Sequence, residues 1–276
     1  MINKINWINS IYKTKQTQSF KGTQNKVSIN TPQDIFEKSH DNIKKFKIIH
    51  KNYNNFACIE TEVTQNPKDK VIVSKKVRYG YPDRVEIEPT ELSVAKSEGD
   101  NGPTFHFLDE YNNEIGFVSI CDWRKATSKS KDDIMLTQNY PELGIVGDRI
   151  SIDYLQNNNN IIFSGIGKVA DQIAIEYCLK EGITPNIVSM ADIGSLISHY
   201  KRGRRFFKIE KENPRYNYFI REYGTNDPNK IIKERLDKTP SGSWAECEDL
   251  KELYMYMPQE VIQKYLQRIK EHPILH

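Results

Sequence analysis

Residues 161–182 constrain this chain more than any other stretch. Gly165-Ile166-Gly167-Lys168 opens a segment whose apolar residues recur every three or four positions: Ile166, Val169, Ala170, Ile173, Ala174, Tyr177 and Cys178. That spacing predicts one apolar stripe on a helix, with Lys168, Asp171, Gln172, Glu176 and Lys180 on the other side. Gly182 can end it, and Ile161-Ile162-Phe163 reads as a short strand before the turn. A glycine turn at a helix start leaves backbone N–H groups unshielded by side chains. The positive end of the helix dipole adds to them, so the unit is a candidate phosphate cradle as well as a tight connection.

Upstream, the pattern is of strands. Phe56-Ala57-Cys58-Ile59, Lys70-Val71-Ile72-Val73 and Val85-Glu86-Ile87-Glu88 are short apolar or alternating runs between turn-forming residues. Thr104-Phe105-His106-Phe107-Leu108 and Ile115-Gly116-Phe117-Val118-Ser119-Ile120 flank a polar turn and predict a hairpin. Residues 126–133 read as a charged loop. Residues 149–155 alternate, which predicts a strand with Ile150, Ile152 and Tyr154 on one face, followed by an asparagine loop at 157–160. Downstream, residues 186–190 predict a strand, 193–201 a helix ended at Gly203, and 205–209 another strand. Residues 210–248 are polar and broken by Pro214, Pro228 and Pro240, as expected of an insertion with one helix at 229–236. A strand at 250–257 and an amphipathic helix from Pro258 through Ile269 close the pattern.

The first 55 residues are rich in Asn, Lys, Gln, Ser and Thr. Residues 1–30 offer little to bury against the cost of ordering and are expected to form a flexible arm. Thr31 can cap a helix that Pro32 begins, with Ile35, Phe36, Ile43, Phe46 and Ile49 near helical spacing, so 32–50 is expected to be helical. The domain reading is an extension over 1–55 and an α/β domain over 56–276.

Totals exclude several function classes. No apolar run of the 276 residues approaches the roughly 18 needed to cross a bilayer. Cys58, Cys121, Cys178 and Cys247 lie far apart with no CxxC, which argues against a zinc site and a disulfide scaffold. The net charge of +3 implies no nucleic-acid partner. Basic charge is concentrated only at Lys201-Arg202-Gly203-Arg204-Arg205, either a solvated helix end or a patch for a phosphate-bearing ligand or nucleic acid. Residues 1–9 have no continuous apolar core, so a bacterial cytoplasmic location is expected, with a secreted protein carrying an export arm over 1–30 as the alternative. No membrane partner is expected, and a homodimer stays open.

Three phosphate ligands compete for the glycine turn. A P-loop needs GxxxxGK then Ser or Thr, but Ile162 stands at the first glycine position and Val169 follows Lys168. Gly165, Gly167 and Ala170 satisfy GxGxxA, and Asp192 ends the next strand, which suits an NAD(P)-dependent Rossmann oxidoreductase. Too few strand–helix repeats follow for a doubly wound sheet. Residues 104–269 as a whole resemble the GNAT superfamily of N-acetyltransferases. Ile162-Phe163-Ser164-Gly165-Ile166-Gly167 occupies the family's Gln/Arg-x-x-Gly-x-Gly/Ala position, and His199-Tyr200-Lys201-Arg202-Gly203 its tyrosine motif. Ile162 replaces the usual Gln or Arg, and Arg204 the usual Phe.

The resemblance implies a mixed, mostly antiparallel α/β sheet flanked by helices. It implies acetyl-CoA as co-substrate, no metal, and an amine of a small molecule or protein as acceptor. Backbone amides of Phe163, Ser164, Gly165, Ile166, Gly167 and Lys168 would hold the pyrophosphate, and Leu155 and Asn157 would align the pantetheine. Asp153 would act as base, with Asp122 and His106 behind it, and Tyr200 as the acid for the leaving thiolate. Asp153 can equally be an outward-facing strand carboxylate, Tyr200 a packed aromatic, and Cys178 a packed thiol. The motif departures also admit a protein that binds CoA without catalysis.

Overall fold

The computed structural model describes residues 43–52, 57–79, 84–125, 139–192, 194–239 and 245–276, all within one compact unit, Pro32–His276. The 1–30 arm and the 126–133 loop lie outside the described residues.

The strands are β1 (Lys44–Asn52), β2 (Ala57–Gln65), β3 (Lys70–Tyr79), β4 (Arg84–Gly99), β5 (Gly102–Leu108), β6 (Glu114–Asp122), β7 (Ile150–Asn157) and β8 (Phe163–Ser164). Helix α1 (Ile166–Lys180), β9 (Ile187–Met190), α2 (Leu196–Lys201) and β10 (Arg205–Phe206) follow. Then come α3 (Tyr216–Tyr223), α4 (Pro228–Lys238), β11 (Tyr254–Tyr256) and α5 (Gln259–Glu271). The eleven described strands form one sheet in the order β1-β2-β4-β5-β6-β7-β9-β11-β10, with β3 beside β4 and β8 beside β3. Every pairing is antiparallel except β7 with β9. The fold is mixed α/β with a large, mostly antiparallel sheet. Among the described residues, no helix is long and apolar enough to cross a membrane.

Helix α1 packs its stripe on one face of the sheet, where Val94, Phe105, Phe107, Val118, Ile150 and Ile152 meet Ile166, Ala170, Ile173 and Ala174. Its polar side is not solvated as the pattern suggests. Asp171, Gln172 and Glu176 are all buried, because α5 and residues 272–275 close over that flank. Glu176 accepts the N–H groups of Ile274 (3.0 Å) and Leu275 (2.6 Å) and an N–H of Gln172 (2.8 Å). The buried Glu176 carboxylate is thereby matched.

Residues 44–52 form a strand instead of the expected helix. Phe46, Ile48 and His50 turn inward at period two while Lys47 and Ile49 face out, and nine residue pairs join β1 to β2. Pairing with β2 across the hairpin overrode the local three-residue spacing. The β1–β2 hairpin lies over the sheet face opposite α1, where Ile48 and Val63 pack on Ala95 and Leu108. The 210–248 stretch also holds more than expected. Its two helices, α3 and α4, enclose a second core of Phe219, Ile231 and Ile232 with Phe206, Leu196 and Met255. Expected strands at 205–209 and 250–257 shrink to β10 and β11, and Ala245–Leu250 is a 3-10 turn.

Burial pushes the Glu176 carboxyl up to about 7, more than its hydrogen-bond donors pull it down. A folded value above the unfolded one means its contribution is full at acid pH and is lost as pH rises through about 7. Urea melts should show wild type losing up to about 3 kcal/mol relative to Glu176→Gln between about pH 5 and about pH 8.

Candidate functional site

Strand β7 pairs with β6 along its length but with β9 only at Ile150↔Ile187 and Ser151↔Val188. Beyond Ser151 the two parallel strands part, and β7 keeps one edge without a strand partner among the described residues. The β6–β7 register shifts where they part. Ser119 faces Tyr154 and Ile120 faces Ile152, which leaves Asp153 as the extra residue of a bulge. The bulge explains why Tyr154 is half-exposed and does not share a face with buried Ile150 and Ile152. A cleft of about 1100 Å³ opens here, walled by β7, the α1 start, residues 189–192, and the Ser195, Ser198, His199 and Arg202 side of α2.

Asn157 ties the end of β7 to the glycine turn, its Nδ2 donating to the Phe163 carbonyl at 2.8 Å. Leu155, Asn157, Phe163, Ser164, Gly165, Ile166 and Gly167 all line the cleft, as the sequence suggests; Lys168 is exposed outside it. Phe163 and Lys168 donate their N–H groups to the carbonyls of Asn159 and Gly165. Gly165, Ile166 and Gly167, by contrast, begin the helix too early for their N–H groups to reach carbonyls one turn back. The Arg202 guanidinium lies directly on Gly167, where a Cβ would come within 2.7 Å of Nη1. No larger residue fits there without displacing the arginine.

Within the basic cluster Lys201 is exposed, whereas Arg202 and Arg204 form an internal charge network. Gly203, at φ +102°, ends α2 and turns the chain so that Arg204 points inward. Arg204 is fully buried and donates to Asp171 (2.7 Å) and to the Ser189 hydroxyl (2.7 Å). Arg202 donates to Asp171 (2.8 Å), Ser198 Oγ (2.6 Å) and His199 Nδ1 (2.9 Å). Burial works against the Asp171 charge, but Arg204 and Arg202 outweigh it and hold the carboxyl below its ordinary range. Burial, then Arg204 and Arg202, push His199 down to about 2. Because a guanidinium only donates, His199 Nδ1 accepts, and the neutral ring carries its proton on Nε2.

Asp153 stands in the cleft wall with its Oδ1 accepting from Ser151 Oγ at 2.5 Å, and Ser151 Oγ accepting from Trp123 Nε1 at 3.1 Å. Burial raises the Asp153 carboxyl, and the Ser151 hydrogen bond only partly offsets it. Trp123, Ser151 and Cys121 share this wall, and burial pushes the Cys121 thiol up to about 11. Asp192, Glu252, Tyr154 and Tyr254 also line it.

Other sequence candidates lie elsewhere. Tyr200 is not among the cleft residues. Its ring packs on the second core with the Arg205 guanidinium 4.6 Å away, and its hydroxyl donates to the Asn229 carbonyl at 3.4 Å. The helical turn puts Ser198, His199 and Arg202 on the cleft side of α2 instead. Asp122 is buried, bonded to Arg124 and the Tyr177 hydroxyl. His106 is buried beside Ser97 and Glu114. Cys178 is fully buried, a packed thiol whose pKa burial raises strongly. Arg202 and Ser198 were legible as an i, i+4 pair on a helix; nothing local marked Trp123 or Ser151.

No protein-family model matches the sequence, and no curated protein does. Among solved structures, the fold is similar to the crystal structure of nourseothricin acetyltransferase. The match has 10% identity and a TM-score of 0.31, over 78% of this chain and 98% of that one.

Asp171→Asn would leave Arg204 buried without a full countercharge. It should cost about 3–5 kcal/mol in urea unfolding, far more than an exposed pair would.

Proposed function

We propose that this chain is a GNAT-type N-acyltransferase that moves an acetyl or short acyl group from acyl-CoA to an amine. The observation that carries the reading is the parting of β7 from β9 beside the start of α1, with Arg202 laid on Gly167. A free strand edge suits an amide-bearing arm that adds to the sheet, and a helix start beside a guanidinium suits a pyrophosphate. The open edge from Ile152 to Asn157 would hold the pantetheine, with Leu155 and Asn157 at its far end. The N–H groups of Gly165, Ile166 and Gly167, with Arg202, would hold the diphosphate. The bound thioester supplies an activated carbonyl.

Asp153 takes the proton that the attacking amine must lose, and its raised carboxyl brings it closer to the operating pH of a general base. Ser151 and Trp123 fix its orientation. Asp192 and Glu252, with Trp123, Tyr154 and Tyr254, favour a cationic amine in the same cleft. The thiolate's hydrogen bond then falls to Ser198 or His199, on the cleft side of α2, and not to Tyr200. The dinucleotide alternative loses its support in the topology. Strand β8, which precedes the glycine turn, pairs antiparallel with β3 and forms no βαβ unit with β9. The position of Tyr200 favours one second reading, a protein that binds CoA without turnover.

Thermal melts separate these. Acetyl-CoA or CoA at about 100 times its Kd should stabilise the protein by about 2.7 kcal/mol, whereas NAD and NADP leave the melting point unchanged. A shift with the dinucleotides alone overturns the proposal, and a CoA shift without turnover on any amine in a broad panel selects the binding-only reading.

For the active enzyme, Asp153→Asn should lower kcat by about 10²–10⁴-fold. Activity should fall as pH drops through an Asp153 value above the ordinary aspartate range, since the base must be ionised. Tyr200→Phe should stay within about twofold of wild type, because the hydroxyl makes no contact with the cleft. A hundredfold loss there would return the acid role to Tyr200.

A further inference from the structure

On the sheet face opposite α1, two imidazoles and a carboxylate converge. His50 Nδ1 lies 2.9 Å from Glu114 Oε1, and His106 Nδ1 lies 2.6 Å from the same oxygen. The three candidate ligand atoms all lie within 4.8 Å of one another. They come from three strands: β1 of the hairpin, and β5 and β6 of the main sheet. His106 and Glu114 side chains are 1% and 2% exposed, and His50 is 17% exposed.

The surroundings orient each ligand. Ser97 Oγ bonds His106 Nε2 at 2.7 Å, which fixes that ring and leaves Nδ1 toward Glu114. Asn158 Nδ2 donates to Glu114 Oε2 at 3.2 Å and holds the carboxylate plane. The Phe117 ring stands edge-on to His50, with centroids 4.7 Å apart. Outer partners of this kind are what ligating histidines and carboxylates require to stay aimed at one point.

We propose that His50, His106 and Glu114 form a binding site for a divalent transition-metal cation of the zinc type, which clamps the β1–β2 hairpin onto the sheet. A two-histidine, one-carboxylate set with a solvent ligand is a standard zinc environment. Ligand bonds near 2.1 Å at tetrahedral angles place donor atoms roughly 3.4 Å apart. The two nitrogen–oxygen separations would therefore widen by about 0.5–0.8 Å, within the reach of side-chain torsions. His50, the most exposed of the three, gives the cation its path. The site is built from residues outside the cleft lining, and it joins a hairpin that otherwise rests on few apolar contacts.

The test uses the full chain, stripped with chelator, with exposed Cys58 replaced by serine to remove an adventitious ligand. Zinc sulfate and cobalt chloride are titrated, with metal content, melting temperature and the cobalt visible spectrum as readouts. One cation per chain, a raised melting point and a tetrahedral cobalt band are expected. His50→Ala, whose side chain is the most open of the three, should still fold and weaken binding at least about tenfold. Ser97→Ala should weaken it about tenfold or more by releasing the His106 ring. Protection of β1 from proteolysis should rise with metal in the parent and not in His50→Ala. Absence of binding at about 100 µM metal, or binding unchanged in His50→Ala, overturns the proposal and leaves the triad a hydrogen-bonded strut.

Discussion

One buried carboxylate organises the walls of the cleft. Asp171, on the first turns of α1, holds Arg202 and Arg204 from the segment that ends α2, and Arg204 in turn holds Ser189 of β9. Tyr265 of α5 reaches the same carboxylate at 3.4 Å. Four elements are thus fixed relative to one another through a single residue. The interior would not tolerate any of these charges alone, so the geometry is tightly specified. The guanidinium that rests on Gly167 is in place only because Asp171, Ser198 and His199 each take one of its donors.

The second constraint is the separation of β7 from β9. Parallel strands pair evenly until something bends one of them, and the extra residue at Asp153 supplies the bend. The same bulge opens the cleft, exposes a strand edge along it and turns Asp153 into its wall. Site and fold therefore share one cause. Ser151, itself bonded to Trp123, then holds the carboxylate in place.

The face opposite α1 is organised differently. It has a small apolar patch, Ile48, Val63, Ala95 and Leu108, extended by the polar cluster of His50, His106 and Glu114. A hairpin that meets the rest of the sheet through the single β2–β4 pair Thr64↔Lys96 gains much of its attachment from such contacts. On the other side of the molecule, α3 and α4 build their own core around Phe219.

The hairpin β5–β6, the glycine turn, the α1 stripe and the closing helix were all legible in the sequence. Each depends on local periodicity or on turn chemistry that neighbouring residues supply. Seven of the cleft residues around Leu155 and Gly165 were legible for the same reason. The strand at Lys44–Asn52 was not, because its own residues carry a helical spacing and its nine pairings depend on the partner strand β2. The burial of Asp171, Glu176 and Arg204 was hidden too, since a charge pattern does not reveal what will pack over it. Whether Tyr200 or Ser198 and His199 faces the cleft depends on how a six-residue helix is rotated. That rotation is set by two cores and a buried ion pair drawn from distant parts of the chain. The sequence by itself determined the order of the elements from β5 to α1 and the glycine turn that opens α1. Tertiary structure alone decided which side chains meet there, because bulge, burial and charge pairing are properties of contacts between segments far apart in the chain.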